Sequence, residues 1–235
     1  MRSYRAVLFA SAYTEAIALG TPDSSAATIS FSGNSPLPAG DFMTTNFINA
    51  VLVGKFDTNL GTLLSVSFSL TGNVRGSVQI ESLDAAPATV NSSLSAIITL
   101  EKPDGTDLAV TLPVASFSDS LAAFDGLIDF GGTSGISRSA ILATNSANII
   151  STTAAILNDF SAAGGGLINL QITAAGASIA TGSGNLFAGF RTAANAAFTV
   201  TYTYDTGATA VPIPAALSLF GMGLLGLGLA RRATI

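Results

Sequence analysis

Carboxylates are the side chains of this sequence best suited to chemistry. The 235 residues include 14 Asp or Glu, but no His and no Cys. Without His or Cys the chain lacks the pairs of Ser-His-Asp and Cys-His enzymes and the common zinc ligands. Acid–base chemistry by two carboxylates, as in glycosidases, stays open. The closely spaced candidates are Asp125 with Asp129, and Glu101 with Asp104 or Asp107.

These two groups of carboxylates have simpler explanations as well. Asp125 and Asp129 flank a Gly and have the composition of a turn at a strand edge, and the chain has no Trp for stacking a sugar. Around Pro103-Asp104-Gly105, three carboxylates resemble an oxygen-rich calcium loop, but the same residues make a good turn with solvated acids. We therefore predict a non-enzymatic chain with no cofactor, in which Glu101, Asp104 and Asp107 are the candidate ligands if calcium binds.

Composition limits the classes of partner. Charged residues are 10% of the chain, the net charge is −5 and apolar residues are 49%. The apolar content argues against disorder, and the absence of a basic cluster argues against nucleic acid, since phosphate contacts need Lys and Arg. The lack of Cys excludes a disulfide framework.

The C-terminal residues form an ordered series of signals. Val211, Pro212, Ile213, Pro214 and Ala215 precede an apolar run to Ala230, which Arg231 and Arg232 end. The 20 charge-free residues 211–230 would reach about 30 Å as a helix, the thickness of bilayer hydrocarbon. Arg231 and Arg232 would stay cytoplasmic and place the rest of the chain outside the inner membrane. We predict a sorting tail with a transmembrane helix over residues 209–235; a buried C-terminal helix is the alternative.

This series resembles the PEP-CTERM class of bacterial sorting signals, in its VPLPA variant, with Ile213 in the position usually held by Leu. The resemblance implies recognition in the inner membrane by an exosortase-type transpeptidase. It further implies cleavage near Val211–Ala215 and transfer to the cell surface of a Gram-negative bacterium.

The N-terminus carries features of an export signal. Arg2 and Arg5 precede an apolar run that Glu15 interrupts, and small residues lie before Thr28. We predict a signal peptide over residues 1–27, with a misassigned start codon or a drifted signal sequence as the alternatives.

Alternating apolar residues predict strands in the remainder. Residues 63–81 predict a hairpin that turns at Gly72-Asn73. A second hairpin turns at Pro103-Asp104-Gly105, with a return strand that buries Leu108, Val110, Leu112 and Val114. Leu167–Thr173 and Phe198–Tyr204 predict two more strands, whereas Ser139–Phe160 predicts one or two short helices. We predict an all-β chain with a single antiparallel β-sandwich or jelly-roll-like domain over residues 28–208.

A second resemblance concerns this domain. Phe56-Asp57, Leu60-Gly61-Thr62-Leu63 and the alternation through Val66, Phe68 and Leu70 are similar to the opening of the choice-of-anchor E domain, and Phe198–Tyr204 fits its close. The resemblance implies an extracellular domain that different anchors share, and it implies no reaction.

These observations favour an exported surface or extracellular-matrix protein that contributes to the envelope or a biofilm. Its expected partners are the exosortase-type enzyme, the inner membrane before processing, and exopolysaccharide or matrix. A carbohydrate-binding or adhesive module is the alternative, and a hydrolase that uses Asp125 and Asp129 is a third.

Overall fold

Alternating apolar residues form long strands in this chain, because one face of each strand is buried. The computed structural model describes residues 26–182 and 184–207. The strands are β1 (Ala26–Ser35), β2 (Met43–Thr44), β3 (Phe47–Gly54), β4 (Phe56–Asp57), β5 (Thr62–Ser82), β6 (Ala88–Glu101), β7 (Asp107–Thr111), β8 (Val114–Leu121), β9 (Gly135–Ser151), β10 (Ser161–Ala162), β11 (Leu167–Gly176), β12 (Ile179–Gly182) and β13 (Leu186–Asp205). A 3-10 turn spans Thr58–Leu60, and the helix α1 spans Ala154–Asp159.

Two antiparallel sheets contain most of these strands. The first sheet has the order β1-β13-β5-β9, with β2 paired to β13. In the second sheet, β7 and β8 lie along one side of β6, β11 and β12 lie along its other side, and β3 pairs with β11. The short pair of β4 and β10 is parallel. The predicted all-β, antiparallel sandwich is confirmed.

The strand order corresponds to a jelly roll. We count β7 with β8, and β11 with β12, as single strands because each pair runs along the same side of β6. The eight principal strands then form one sheet from the first, eighth, third and sixth, and another from the second, seventh, fourth and fifth. Two four-stranded sheets with this interleaving are the jelly-roll arrangement.

The core lies between the two sheets. Fully buried apolar side chains come from both inner faces, including Phe68, Leu70, Ile98, Leu170 and Val200. Contacts define Ser25–Gly207 as a compact unit of its own, and the core cluster lies entirely within it. Within the described residues no helix is long and apolar enough to cross a membrane.

The predicted hairpin over residues 63–81 is wrong. β5 runs without a turn from Thr62 to Ser82. Gly72 lies in the middle of this strand, where a Cβ would be 2.7 Å from both Ile98 Cδ1 and Thr111 Cγ2 in the opposite sheet. The glycine therefore allows close approach of the second sheet to β5 and does not turn the chain.

Two other predictions need correction. Ser139–Phe160 is mainly strand, since β9 continues to Ser151 and only the six residues of α1 are helical. The second hairpin turns where predicted, but Val110, Leu112 and Val114 are exposed. A register shift opposite Leu100 and Glu101 changes the phase of the return strand, so that Ala109 and Thr111 are buried instead.

Candidate functional site

The residues of the predicted sorting tail lie outside the described residues. This applies to Val211, Pro212, Ile213, Pro214 and Ala215 and to the basic pair Arg231 and Arg232. Residues 1–25 of the predicted signal peptide lie outside them as well, whereas Ala26 and Ala27 belong to β1 and pair with Asp205 and Tyr204. Cleavage before Thr28 would remove two residue pairs from the ten that join β1 to β13.

The turn after β6 brings the calcium candidates near each other but gives them different partners. Asp104 Oδ1 accepts from the N–H of Thr106 at 3.0 Å. Lys102 Nζ lies 3.1 Å from Asp104 Oδ2 and 3.0 Å from Asp159 Oδ2. Glu101 is opposite Asp107 in the antiparallel register.

The pKa values at this turn follow from these contacts. Hydrogen bonds from Thr106 and then from Lys102 lower the pKa of Asp104 to about 2. Hydrogen bonds to Asp159 and Asp104 raise the pKa of Lys102. Partial burial, followed by repulsion from Asp107, raises the pKa of Glu101. Thr106 is therefore the main partner of the Asp104 carboxylate, and Lys102 adds a positive charge beside it.

The turn gives the calcium prediction no geometric support. No group of three or more His, Cys, Asp or Glu side chains is arranged to hold a metal ion anywhere in residues 26–182 and 184–207. Calcium needs six to eight oxygen ligands around one point, and Lys102 already compensates two of the carboxylates present here.

Asp125 and Asp129 each stabilise their own stretch of a loop. Asp125 Oδ1 accepts from the N–H of Leu127 at 3.1 Å, and Asp129 Oδ1 accepts from the N–H of Gly131 at 2.8 Å. A carboxylate that bonds the main chain two residues on is typical of an Asx turn. These hydrogen bonds give both carboxylates a structural role in the loop after β8.

Glu81 is a buried carboxylate that the sequence did not single out. Its side chain has 0% exposure, Oε2 accepts from the N–H of Phe130 at 2.7 Å, and Oε1 accepts from Ser134 Oγ at 2.6 Å. These bonds fasten the loop after β8 to the end of β5. Glu81 occupies a position that strict alternation assigns to solvent, and local sequence carries no signal that the loop covers it.

The outward surface of the first sheet is a regular array of small polar side chains, which we name the hydroxyl face. Its members are half-buried or exposed, and in register they are Thr28, Ser30 and Ser32 of β1, Thr199, Thr201 and Thr203 of β13, Ser65, Ser67, Ser69 and Thr71 of β5, and Ser146 and Asn148 of β9. Cross-strand hydrogen bonds join Ser30 to Thr201 (2.8 Å), Ser32 to Thr199 (2.9 Å), Ser67 to Asn148 (2.8 Å) and Thr71 to Ser146 (2.9 Å).

The hydroxyl face offers hydrogen bonding without charge. None of its side chains ionises near neutral pH, and the chain has no His to activate a hydroxyl as a nucleophile. The alternation of Ser and Thr with apolar residues in β1, β5 and β13 was visible in the sequence, but the pairing that assembles one surface was not. The face is suited to a neutral, hydroxyl-bearing ligand.

A cleft of about 530 Å³ lies between β1 and β3 and is mainly apolar. Its walls include Leu37, Val51, Leu52 and Phe198, and none of its lining residues is ionisable. The cleft provides contact surface but neither an acid nor a base.

Comparison with known proteins identifies no family for this chain. No family model and no curated protein matches it. It is similar to a structure of the infectious bursal disease virus Gx strain, with 13% identity over 80% of this chain and 38% of that one, and a TM-score of 0.20. It is also similar to the VP2 subviral particle of the same virus, with 15% identity over 79% and 38% of the two chains and a TM-score of 0.21. The chain spans about 38% of the length of these viral chains. Such low scores carry no argument about function.

Proposed function

We propose that this chain is an exported, non-enzymatic surface or extracellular-matrix protein of a Gram-negative bacterium, and a substrate of an exosortase-type enzyme. The observation that carries the proposal is the order of the C-terminal signals. The proline motif at Val211–Ala215, the apolar run to Ala230 and the pair Arg231-Arg232 resemble a PEP-CTERM tail.

The position of the motif relative to the fold supports this proposal. β13 ends at Asp205, the compact unit ends at Gly207, and Val211 follows four residues later. Four residues span at most about 14 Å, so a processing enzyme would bind the motif close to the folded domain.

The side-chain chemistry of the domain supports a non-enzymatic role. Three of the five carboxylates that the sequence offers for catalysis, Asp104, Asp125 and Asp129, accept hydrogen bonds from their own turns. The hydroxyl face and the apolar cleft provide contact surfaces without an acid or a base.

Processing is tested by intact mass and C-terminal peptide mapping of the chain recovered from the envelope and medium of its host. We expect a species that ends near Val211–Ala215 and lacks the apolar run. Replacement of Pro212 and Pro214 by Ala should leave the tail in place, whereas Pro103→Ala, a matched change in an exposed turn, should leave processing intact. A wild-type chain with its full C-terminus, found only in inner-membrane fractions, contradicts the proposal.

A carbohydrate-binding or adhesive role is the second candidate, and the hydroxyl face favours it. A neutral polysaccharide presents hydroxyl groups that this face can bond without desolvating a charge. The test is co-sedimentation with insoluble neutral polysaccharides. Thr199→Glu with Thr201→Glu should abolish binding, whereas Thr181→Glu, on an exposed residue of the second sheet, should not. Equal binding of polysaccharide by the wild type, the Thr199→Glu/Thr201→Glu variant and the Thr181→Glu variant would exclude the hydroxyl face as the binding site.

A further inference from the structure

β9 ends the first sheet and leaves one side of its backbone without a strand partner. It pairs with β5 on one side, and no other strand within the described residues pairs with it. Natural proteins normally protect such an edge with charged residues, proline or a β-bulge. In β9 the bulge lies opposite Gly76 and Val78, next to Arg138, so the bulge and the charged residue are both confined to the first part of the strand. Here the sequence has no ionisable residue and no proline between Arg138 and Asp159.

Two large apolar side chains stand on the outward face of this edge. Leu142 is 62% exposed and Ile150 is 66% exposed. In the register with β5 they lie opposite Arg75 and Ser67, which also point outward. Both would gain from burial against another apolar side chain.

The order of residues along this edge is self-complementary. When a second β9 is placed antiparallel with Ser146 opposite its own copy, Leu142 faces Ile150 and Thr144 faces Asn148. On the other face Ala143 meets Ile149. On the outward face, apolar residues thus meet at both ends and polar residues meet in the middle, whereas on the other face Asn145 meets Ala147. A two-fold symmetric interface requires this property.

We propose that the chain forms a two-fold symmetric dimer in which β9 of one copy pairs antiparallel with β9 of the other, with Ser146 at the symmetry axis. The four principal strands of the first sheet, β1, β13, β5 and β9, then join those of the partner copy in one continuous sheet of eight principal strands. Nine facing residues contribute about eight to ten main-chain hydrogen bonds. The net charge of each copy is −5, and the uncharged edge lets the two copies approach without direct repulsion between acidic side chains.

Asn145 partly closes this edge in the single copy. Its Oδ1 accepts from the N–H of Ser146 at 2.8 Å, and its Nδ2 donates to the carbonyl of Leu112 at 3.1 Å. Dimer formation exchanges the first of these bonds, at the symmetry axis, for a main-chain bond to the partner. The remaining positions of the edge need no such exchange.

Cysteine cross-linking tests the register directly, because the chain has no native Cys. Each full-length single-Cys variant is purified in detergent, oxidised and run on a non-reducing gel. Facing residues of an antiparallel pair have Cα atoms about 4.5–5.5 Å apart, within reach of a disulfide. Ser146→Cys should therefore give a covalent dimer. Thr144→Cys should not, because the two copies of Thr144 are offset by about 13 Å along the strands.

A mixed pair makes the test independent of the Ser146 variant. Chains with Thr144→Cys and chains with Asn148→Cys should each give no covalent dimer alone and should cross-link when mixed. Absence of covalent dimer in both experiments, or equal dimer from all three single-Cys variants, overturns the proposal.

A charge introduced on β9 tests whether the two copies associate through this strand. Ile150→Lys in the Ser146→Cys chain should abolish the covalent dimer. Ile48→Lys should not, although Ile48 is 69% exposed and lies on β3, the uncharged strand at one edge of the second sheet. Loss of dimer through Ile48→Lys with none through Ile150→Lys would assign association to β3 and refute pairing through β9. The inference depends on the fold and not on the sorting tail, so its failure leaves the proposed function unaffected.

Discussion

Replacement of Gly72 by Ala tests why a glycine lies in the centre of β5. The new methyl group would be 2.7 Å from Ile98 Cδ1 and 2.7 Å from Thr111 Cγ2. Carbon atoms in good contact are about 3.5–4.0 Å apart, so each of these contacts is short by about 1 Å. Ile98 relieves its contact by turning its terminal methyl, but Thr111 is β-branched and stiff. We therefore expect the second sheet to move or Thr111 to leave its preferred rotamer.

The expected loss of stability is moderate. Overpacking of a core by one methyl group costs about 1–3 kcal/mol. Alanine is favoured over glycine inside a strand by about 0.5–1 kcal/mol, which offsets part of this cost. The free energy of unfolding should fall by about 0.5–2 kcal/mol. Gly189→Ala is the matched control, because it lies in β13 with no atom within 4 Å of the new Cβ, and it should be neutral or stabilising.

Urea unfolding of the compact unit, followed by circular dichroism, measures these values. Thr111→Ser removes Cγ2 and keeps the hydroxyl, so it should cost less stability in the Gly72→Ala background than in the wild type. We expect a coupling free energy of at least about 0.5 kcal/mol between the two positions. Additive effects, or a Gly72→Ala variant as stable as Gly189→Ala, would falsify the explanation by close approach of the sheets.

Three further predictions concern polar groups of the domain. Glu81→Ala should lower the free energy of unfolding by about 1–3 kcal/mol, because the buried donors of the following loop lose their acceptor, and proteolysis of that loop should become faster; unchanged proteolysis contradicts the role given to this carboxylate. Tyr202→Phe should cost about 1–2 kcal/mol by urea unfolding, because the phenol donates to the Gly54 carbonyl at 2.7 Å, and a neutral result would mean that water replaces this bond. The pKa of Asp104 is lowered to about 2 in the fold, so its carboxylate stabilises the fold above about pH 4 and loses this effect as the pH falls towards 2. The pKa of Glu101 is raised, so ionisation of Glu101 opposes folding. Asp104→Asn should therefore destabilise and Glu101→Gln stabilise at pH 7, with both differences vanishing in acid, and pH-independent differences would refute this assignment.

The wrong prediction of a turn at Gly72-Asn73 shows which structural information the local sequence contained and which it lacked. A Gly-Asn pair between two apolar runs has the same local sequence whether it forms a turn or continues a strand that another sheet approaches closely. The phase of the apolar alternation did indicate a continuous strand. The side chains of Phe68, Leu70, Val74 and Val78 lie on the same face only if the strand continues without a turn. A two-residue turn would place Leu70 and Val74 on opposite faces, which a strand with one buried face does not allow.

Other features depend on contacts distant in sequence. The Ala and Leu residues within Ser139–Phe160 favour a helix, but β9 also contains four Ile, which favour a strand, and its pairing with β5 decides between the two. The burial of Glu81 depends on a loop about fifty residues later. The separate polar alternations of β1, β5 and β13 were predictable, but their assembly into the hydroxyl face required the jelly-roll order of strands.

The position of β13 between β1 and β5 determines the mechanical resistance of the domain to a pulling force. β13 is held by β1 along ten residue pairs and by β5 along twenty, and it is the last strand before Gly207. A force that enters through the following residues, and is resisted by the body of the sandwich, acts along β13 and shears both ladders at the same time. Shear requires many main-chain bonds to break together, whereas pulling Ala26 and Asp205 apart would open the β1 ladder one pair after another. The domain is therefore mechanically strong against a force applied to Asp205 and resisted by the rest of the sandwich, and weak against a force that separates Ala26 from Asp205.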